Sequence, residues 1–219
     1  MEAIMLYIVP KSPRPSSLDT PSQASDSNDA KASFSAEVHV KGPGLYEMAL
    51  QDPSHYLKCD LFLEVEDRNQ EYEGKVVICH FPNLDGEMLS NFVEEDETLY
   101  GALMIQFQMR ILEQLFLFCA THYASTLVIF ADDAQAEDLG IYEDFLASED
   151  QTLTPKGEKT EMVIPADRQT FEAWLDFMQK TTADFQQTLW HEQKLNPVIR
   201  QYLKMHCARA QPSRVHYKQ

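Results

Sequence analysis

The chain has 219 residues, of which 44% are hydrophobic, and this is enough for one well-packed domain with additional elements or for two small domains. Its 35 acidic and 18 basic residues give a formal net charge of −17, which disfavours binding to nucleic acid or to an anionic membrane surface. We therefore expect other proteins as partners, with basic or apolar surfaces.

The charge is unevenly distributed along the chain. Residues 193–219 contain six basic residues and no acidic residue, so residues 1–192 carry 12 basic and 35 acidic side chains. A basic tail on an acidic body can dock on that body or on another molecule.

The N-terminal residues predict a short strand followed by a flexible segment. Residues 1–10 are mostly apolar and end at Pro10, whereas residues 11–36 are rich in Ser and Pro and are expected to be flexible. The first residues lack the basic start and the cleavage site of a signal peptide, so we expect a cytoplasmic protein. The cysteines lie in or beside apolar runs, which favours reduced thiols and predicts no disulfide: Cys59, Cys79, Cys119 and Cys207.

The middle of the chain predicts a hairpin followed by two helices. Strands are expected at 56–67 and 72–81, a short helix at 85–95 and a long helix at 98–123. Apolar residues occupy almost all faces of the long helix, and a few charged and amide side chains lie among them. A charge pair at the centre of a bilayer would be costly, so we interpret this helix as a core helix without membrane insertion.

The remaining elements complete an α+β pattern. A buried strand is predicted at 126–131, a helix at 133–146 and a strand at 158–165, with Asp167 as N-cap of the next helix through the backbone N–H of Gln169 or Thr170. We predict a mostly antiparallel sheet around a long central helix, with a C-terminal helical appendage. The predicted regions are an α+β core at 37–165, C-terminal helices at 166–207, with Asn196 as a second cap, and a basic tail at 208–219.

The order of these elements over residues 56–165 resembles the GNAT acetyltransferase fold. The stretch from GALMIQF to IYEDFL is similar to that family in the order and spacing of its motifs. Tyr142 falls at the position of a Tyr that protonates the leaving thiolate of acetyl-CoA. The resemblance implies Tyr142 as general acid, Glu64 or Glu66 on a strand as general base, and Gly101 with Ala102 beside the cofactor pyrophosphate.

The phosphate-binding turn of that family, Q/R-x-x-G-x-G/A, is absent from this sequence. With Gly101 at its last glycine, Asp96 occupies the basic or Gln position and Leu99 the middle glycine. The run Glu94, Glu95, Asp96 and Glu97 would repel a pyrophosphate at a helix N-terminus, so we predict no cofactor. These acids either lie in a solvated turn or form a surface for a basic partner.

The strand carrying Glu64 and Glu66 has a second interpretation. Leu61, Leu63 and Val65 alternate with polar positions, which also describes a strand with one solvated face.

Two Cys–His pairs raise the question of a metal site. Cys119 and His122 lie at i and i+3 on the long helix, and Cys79 and His80 are adjacent on a strand. Neighbours on a strand point to opposite faces, so we favour core packing and predict no bound metal.

The helix predicted after residue 166 has more aromatic residues than the one face of a helix that packs on a core would require. Trp174, Phe177 and Trp190 are candidate anchors for a partner, with core packing as the alternative.

Together these features favour a non-catalytic acidic adaptor or chaperone that binds proteins. The small, strongly acidic profile is similar to that of adaptor subunits of bacterial type IVB (Dot/Icm) secretion systems, which implies a role in presenting effectors as part of a larger complex. The alternatives are a divergent GNAT N-acetyltransferase that uses acetyl-CoA and an inhibitor that mimics DNA.

Overall fold

The structure is a computed structural model. It describes residues 34–53, 55–67, 72, 74–81, 84, 86–93, 97–132, 139–149, 154–156, 159–191 and 216–218. The chain divides into two units, Met1–Lys31 and Ala32–Gln219, and every element described below belongs to the second. The predicted strand at 1–10 and the predicted helix after Asn196 lie outside the described residues.

Among the described elements, four strands come first in the chain, and two helices and a mixed series of strands and helices follow. The elements are β1 (Ser35–Gly42), β2 (Leu45–Gln51), β3 (Lys58–Glu66), β4 (Val76–His80), α1 (Glu87–Phe92), α2 (Glu97–His122), β5 (Thr126–Asp132), α3 (Gly140–Ser148), β6 (Thr154–Lys156), β7 (Lys159–Pro165), α4 (Arg168–His191) and β8 (His216–Lys218).

All described strands belong to one mixed sheet. Its strand order is β6-β7-β5-β4-β3-β2-β1-β8, with six longer strands and a three-residue strand at each edge. Five of the seven pairings are antiparallel, whereas β4–β5 and β1–β8 are parallel. The predicted α+β class with a mostly antiparallel sheet is thus confirmed.

The first hairpin is the part of the sheet that the sequence analysis did not predict. β1 and β2 are joined by the pair Pro43-Gly44, which suits the central positions of a type II turn because Gly44 has a φ of 72°. Val65 donates its backbone N–H to the Gly44 carbonyl at 2.7 Å, so the turn is bonded to β3. β1 begins at Ser35, inside the segment predicted to be flexible, and the Phe34 ring packs 5.6 Å from that of Phe107.

The described helices pack on one face of the sheet, which we call the helix-covered face. Leu61, Leu63 and Cys79 point to this face and are buried in the same core as α2 and α3. Helix α2 is long and apolar enough to cross a membrane by length and composition, but most of it is buried inside the protein.

Helix α4 packs antiparallel to α2. Gln106 near the start of α2 bonds to Thr182 near the end of α4, whereas the Phe116 and Phe171 rings lie 5.5 Å apart at the other end. Asp167 caps α4 by accepting the Thr170 backbone N–H at 2.8 Å, which confirms one of the two predicted cap bonds.

Candidate functional site

The start of α2 is where the GNAT resemblance implies a pyrophosphate. Glu97 begins the helix and is exposed, whereas residues 94–96 lie outside the described residues. Only the first four N–H groups of a helix lack an intrahelical acceptor, and Gly101 and Ala102 lie beyond them. Ala102 is moreover buried in the core. The amides of these two residues are therefore committed to the helix.

In open sheets, ligands bind in the crevice outside the carboxyl ends of parallel strands. In this protein, buried side chains lie at that end of the sheet. β4 and β5 are the parallel pair joined through α2. The pairing continues past β4, where Phe81 donates its N–H to the Phe130 carbonyl at 2.8 Å. Phe81, Leu139 and Tyr142 are all buried at this end of the sheet.

Tyr142 is fully buried between α3 and α2. Its hydroxyl donates to the main-chain carbonyl of Gln108 at 2.7 Å, and its ring meets that of Phe81 edge-on at 5.9 Å. Since Phe81 belongs to the same core, Tyr142 lies on the helix-covered face.

Glu64 and Glu66 occupy the other face of the sheet. They alternate with the buried Leu63, and both are partly exposed. This agrees with the interpretation of β3 as a strand with one solvated face. The structure therefore does not bring Tyr142 together with either glutamate.

The aromatic residues of α4 form a cluster with α3. The fully buried Trp174 ring lies 5.0 Å from Phe145, 5.6 Å from Phe177 and 6.1 Å from Tyr142. Phe177 is half-buried beside this cluster, and the side chain of Trp190 lies outside the described part of the chain. Trp174 and Phe177 thus join α4 to α3.

Cys79 and His80 point to opposite faces of β4, as the strand geometry predicts. Cys79 and Cys119 are buried in the core, whereas His80 is exposed on the opposite face of β4. Burial, with the neighbouring Cys59 and Cys119 thiols, raises the pKa of Cys79, and burial raises the pKa of Cys119 to about 12. These thiols are therefore protonated at neutral pH. Within the described ranges, no group of three or more His, Cys, Asp or Glu residues has a geometry suited to a metal ion.

The sheet face opposite the helices carries a patch that we call the acidic sheet face. It is defined by outward-pointing residues of β1 to β4: Glu37, Glu47, Asp60, Phe62, Glu64 and His80. Glu47, Phe62 and His80 are paired across neighbouring strands, so they form one row. Phe62 is 56% exposed at the centre of this row.

The polar side chains beside Phe62, Glu47 and His80, both contact neighbouring residues. The His80 Nε2 lies 3.6 Å from Glu64 Oε1, and its ring stacks on that of Phe130 at 5.8 Å. Glu47 forms an ion pair with Lys41. Phe62 thus lies between two ordered polar side chains.

Beyond β4 the same face is contacted by Tyr72, a described residue between β3 and β4. The Tyr72 hydroxyl donates a hydrogen bond to Oε1 of the buried Glu161 on β7. Strand β5 lies between β4 and β7, so this bond crosses β5. Val76 and Val128 are buried on this part of the sheet. This face is therefore covered at Val76, Val128 and Glu161, whereas Val163 at its β7 end is 37% exposed.

The sequence analysis identified the solvated face of β3 but not the partner strands that complete the patch. Glu37 and Glu47 belong to the unpredicted hairpin, and the signal for it was present as alternation around Val38 and Met48 on either side of a Gly-Pro-Gly turn. Comparisons of the chain with family models, with curated proteins and with solved structures return no match.

Proposed function

We propose that the protein is a non-catalytic adaptor that binds another protein through its acidic sheet face. The observation that carries the proposal is the exposure of Phe62, at 56%, in the middle of a strand and between polar neighbours. A large apolar side chain surrounded by a polar rim is the usual composition of an interface anchor and its surroundings.

The charge of the patch indicates the chemistry of the partner. The patch has four carboxylates, whereas the lysines beside it are Lys41 and Lys58, and the chain as a whole carries −17. A surface of one sign accelerates encounter with a partner of the opposite sign at low ionic strength. The expected partner is a protein with a basic surface that includes an apolar side chain for Phe62.

A GNAT-like core without cofactor binding is proposed as the scaffold. The order of the elements supports this scaffold, because it is the order that the GNAT resemblance implies: the hairpin β3–β4, the long α2, the buried β5, the short α3 and the final β7. The committed amides of Gly101 and Ala102, and the Tyr142 hydroxyl bonded to a backbone carbonyl, argue against acetyl-CoA chemistry in this scaffold. We extend the proposal to a cytoplasmic adaptor that presents effectors to a bacterial type IV secretion machine, on the basis of the small size and acidity alone.

The proposal is tested by comparing two alanine variants in affinity capture with quantitative mass spectrometry. Phe62→Ala removes the proposed anchor, whereas Leu175→Ala removes a 38% exposed apolar side chain on α4 and serves as the matched control. We expect capture of specific partners to fall about tenfold or more with Phe62→Ala, as for hot-spot residues, and to be unchanged with Leu175→Ala.

The proposal is wrong if both variants retain the same partners in the same amounts. Circular dichroism and denaturation of each variant would show that a lost partner does not reflect a lost fold.

A further inference from the structure

Tyr123, the first residue after helix α2, combines an exposed aromatic ring with an unfavourable backbone conformation. It is 89% exposed, more than any other large hydrophobic residue that the structure describes, and its φ is 57°. This left-handed conformation is costly for an L-residue and is an outlier for a bulky one. A ring so exposed gains little from packing within the chain, so burial does not offset the cost. An observed backbone outlier of this kind is grounds for expecting a function of the side chain.

The main chain holds Tyr123 in this conformation. The Tyr123 N–H donates to the Ala120 carbonyl at 3.2 Å, and the N–H of the buried Ala124 donates to the Cys119 carbonyl at 2.9 Å. These are the two bonds of a Schellman motif, in which the position of Tyr123 is usually a glycine. The fold therefore needs the conformation at residue 123 but does not need the tyrosine ring.

The residue before Tyr123 is packed against the core. The His122 ring lies 4.8 Å from that of Tyr46 and 4.3 Å from that of Phe118. The Tyr123 ring is thus presented from an ordered backbone, which reduces the conformational entropy that is lost when a partner binds.

Two exposed carboxylates lie beside the segment that follows Tyr123. Ser125 donates its N–H to the Lys75 carbonyl at 2.9 Å, and the Lys75 Nζ lies 2.7 Å from Asp67 Oδ1, whose side chain is 82% exposed. The Ser125 carbonyl accepts the N–H of the residue before the exposed Asp167, also at 2.9 Å. The ring is therefore near acidic groups of two other parts of the fold.

The charge around Tyr123 indicates which group its ring can bind. The C-terminal end of a helix carries a partial negative charge, and the chain as a whole carries −17. A cation over the face of an aromatic ring is attracted by the quadrupole of the ring. The planar guanidinium of arginine stacks on aromatic faces better than the ammonium of lysine.

We propose that Tyr123 is the anchor of a second protein-binding site, at the C-terminal end of α2, which takes an arginine side chain from a partner protein. The guanidinium stacks on the Tyr123 ring, and Asp67 and Asp167 attract it to this end of the helix. The site goes beyond the acidic sheet face, because α2 packs on the opposite face of the sheet from Phe62. An adaptor with both sites can hold two proteins at once.

The test measures the fluorescence anisotropy of a labelled peptide of alternating glycine and arginine, GRGRGRGR, with the full chain at moderate salt. Tyr123→Gly removes the ring and relieves the backbone cost, whereas Tyr123→Phe keeps an aromatic ring. The matched control is His55→Gly, because His55 is also exposed and has a φ of 64°.

Tyr123→Gly should weaken binding of the arginine peptide about two- to fivefold, as expected for an exposed cation–π contact. Binding should be unchanged in His55→Gly and in Phe62→Ala, and Tyr123→Phe should bind more tightly than Tyr123→Gly. A peptide with neutral citrulline in place of arginine should not distinguish Tyr123→Gly from the unmodified chain. Thermal melts should show a Tm about 2–4 °C higher in both glycine variants, because both relieve the same backbone conformation. Weaker binding by Tyr123→Gly then does not reflect a lost fold.

Equal affinity of Tyr123→Gly and the unmodified chain for the arginine peptide would overturn the proposal. The same loss of affinity in His55→Gly, or with the citrulline peptide, would also overturn it. A lower Tm of Tyr123→Gly would do so as well, because the ring would then be needed for the fold. None of these results changes the capture of partners through Phe62, so a failure here is distinguishable from a failure of the adaptor proposal.

Discussion

Gln114, near the middle of α2, provides a test of the hydrogen bonding inside the core. The residue is fully buried, and neither its amide nitrogen nor its amide oxygen has a hydrogen-bond partner in the described part of the structure. A buried polar group left unpaired costs about 1–3 kcal/mol. Methionine has a similar shape without the amide, so Gln114→Met should raise the free energy of unfolding by about 1–3 kcal/mol. Urea denaturation measures this change, and Tm should rise by about 2–4 °C for each kcal/mol.

Gln106→Met is the matched control on the same helix. Gln106 is also buried, but its Nε2 donates to Thr182 Oγ1 at 3.1 Å and its Oε1 accepts from that hydroxyl at 3.3 Å. Removing this amide should lower the free energy of unfolding by about 0.5–1.5 kcal/mol. Opposite signs for the two variants are the predicted result. A loss of stability in both would refute the reasoning, because it would mean that Gln114 makes a hydrogen bond in the folded protein.

Three further predictions follow from packing and protonation. Gly101→Ala should raise stability by about 0.5–1 kcal/mol in urea denaturation, because a Cβ there meets nothing within 4 Å, whereas Gly86→Ala should lower it, because its Cβ would collide with the Tyr100 hydroxyl. Trp174→Ala should cost about 3–5 kcal/mol by the same measurement, since the ring is fully buried among aromatic neighbours; a loss below about 1 kcal/mol would contradict this packing. Burial lowers the pKa of His122 from its ordinary value of 6.5, so the unfolded chain binds more protons just below that pH and stability should fall as pH is lowered through 6.5. Thermal melts from pH 7.5 to 5 should therefore show a smaller loss in His122→Gln than in the unmodified chain, and an equal loss would contradict the assignment.

The elements with strong periodicity were predictable from the sequence. The alternation around Leu61 and Leu63, the continuous apolar run of α2 and the cap at Asp167 are local patterns, and each produced the expected element. The hairpin of β1 and β2 was missed because charged residues and the Gly-Pro-Gly turn interrupt its short apolar alternation. The strand order, with β7 between β5 and β6, depends on contacts far apart in sequence.

The candidate site was less predictable for a physical reason. An aromatic stripe on a helix has the same spacing whether it fills a core or anchors a partner, and only the position of α3 buries Trp174. Tyr142 resembles a motif position by sequence, but its hydroxyl donates a hydrogen bond to the carbonyl of Gln108, which lies 34 residues away in the chain. Phe62 is distinguished from a core phenylalanine only by the strands that surround it.

The central claim is that this chain binds proteins and not acetyl-CoA, and calorimetric titration of the purified chain with acetyl-CoA and with free CoA at moderate salt tests it most directly. The account predicts no heat of binding for either compound up to millimolar concentration, because the amides of Gly101 and Ala102 and the hydroxyl of Tyr142 are already committed within the fold. Micromolar binding of acetyl-CoA would contradict it and would support the acetyltransferase alternative.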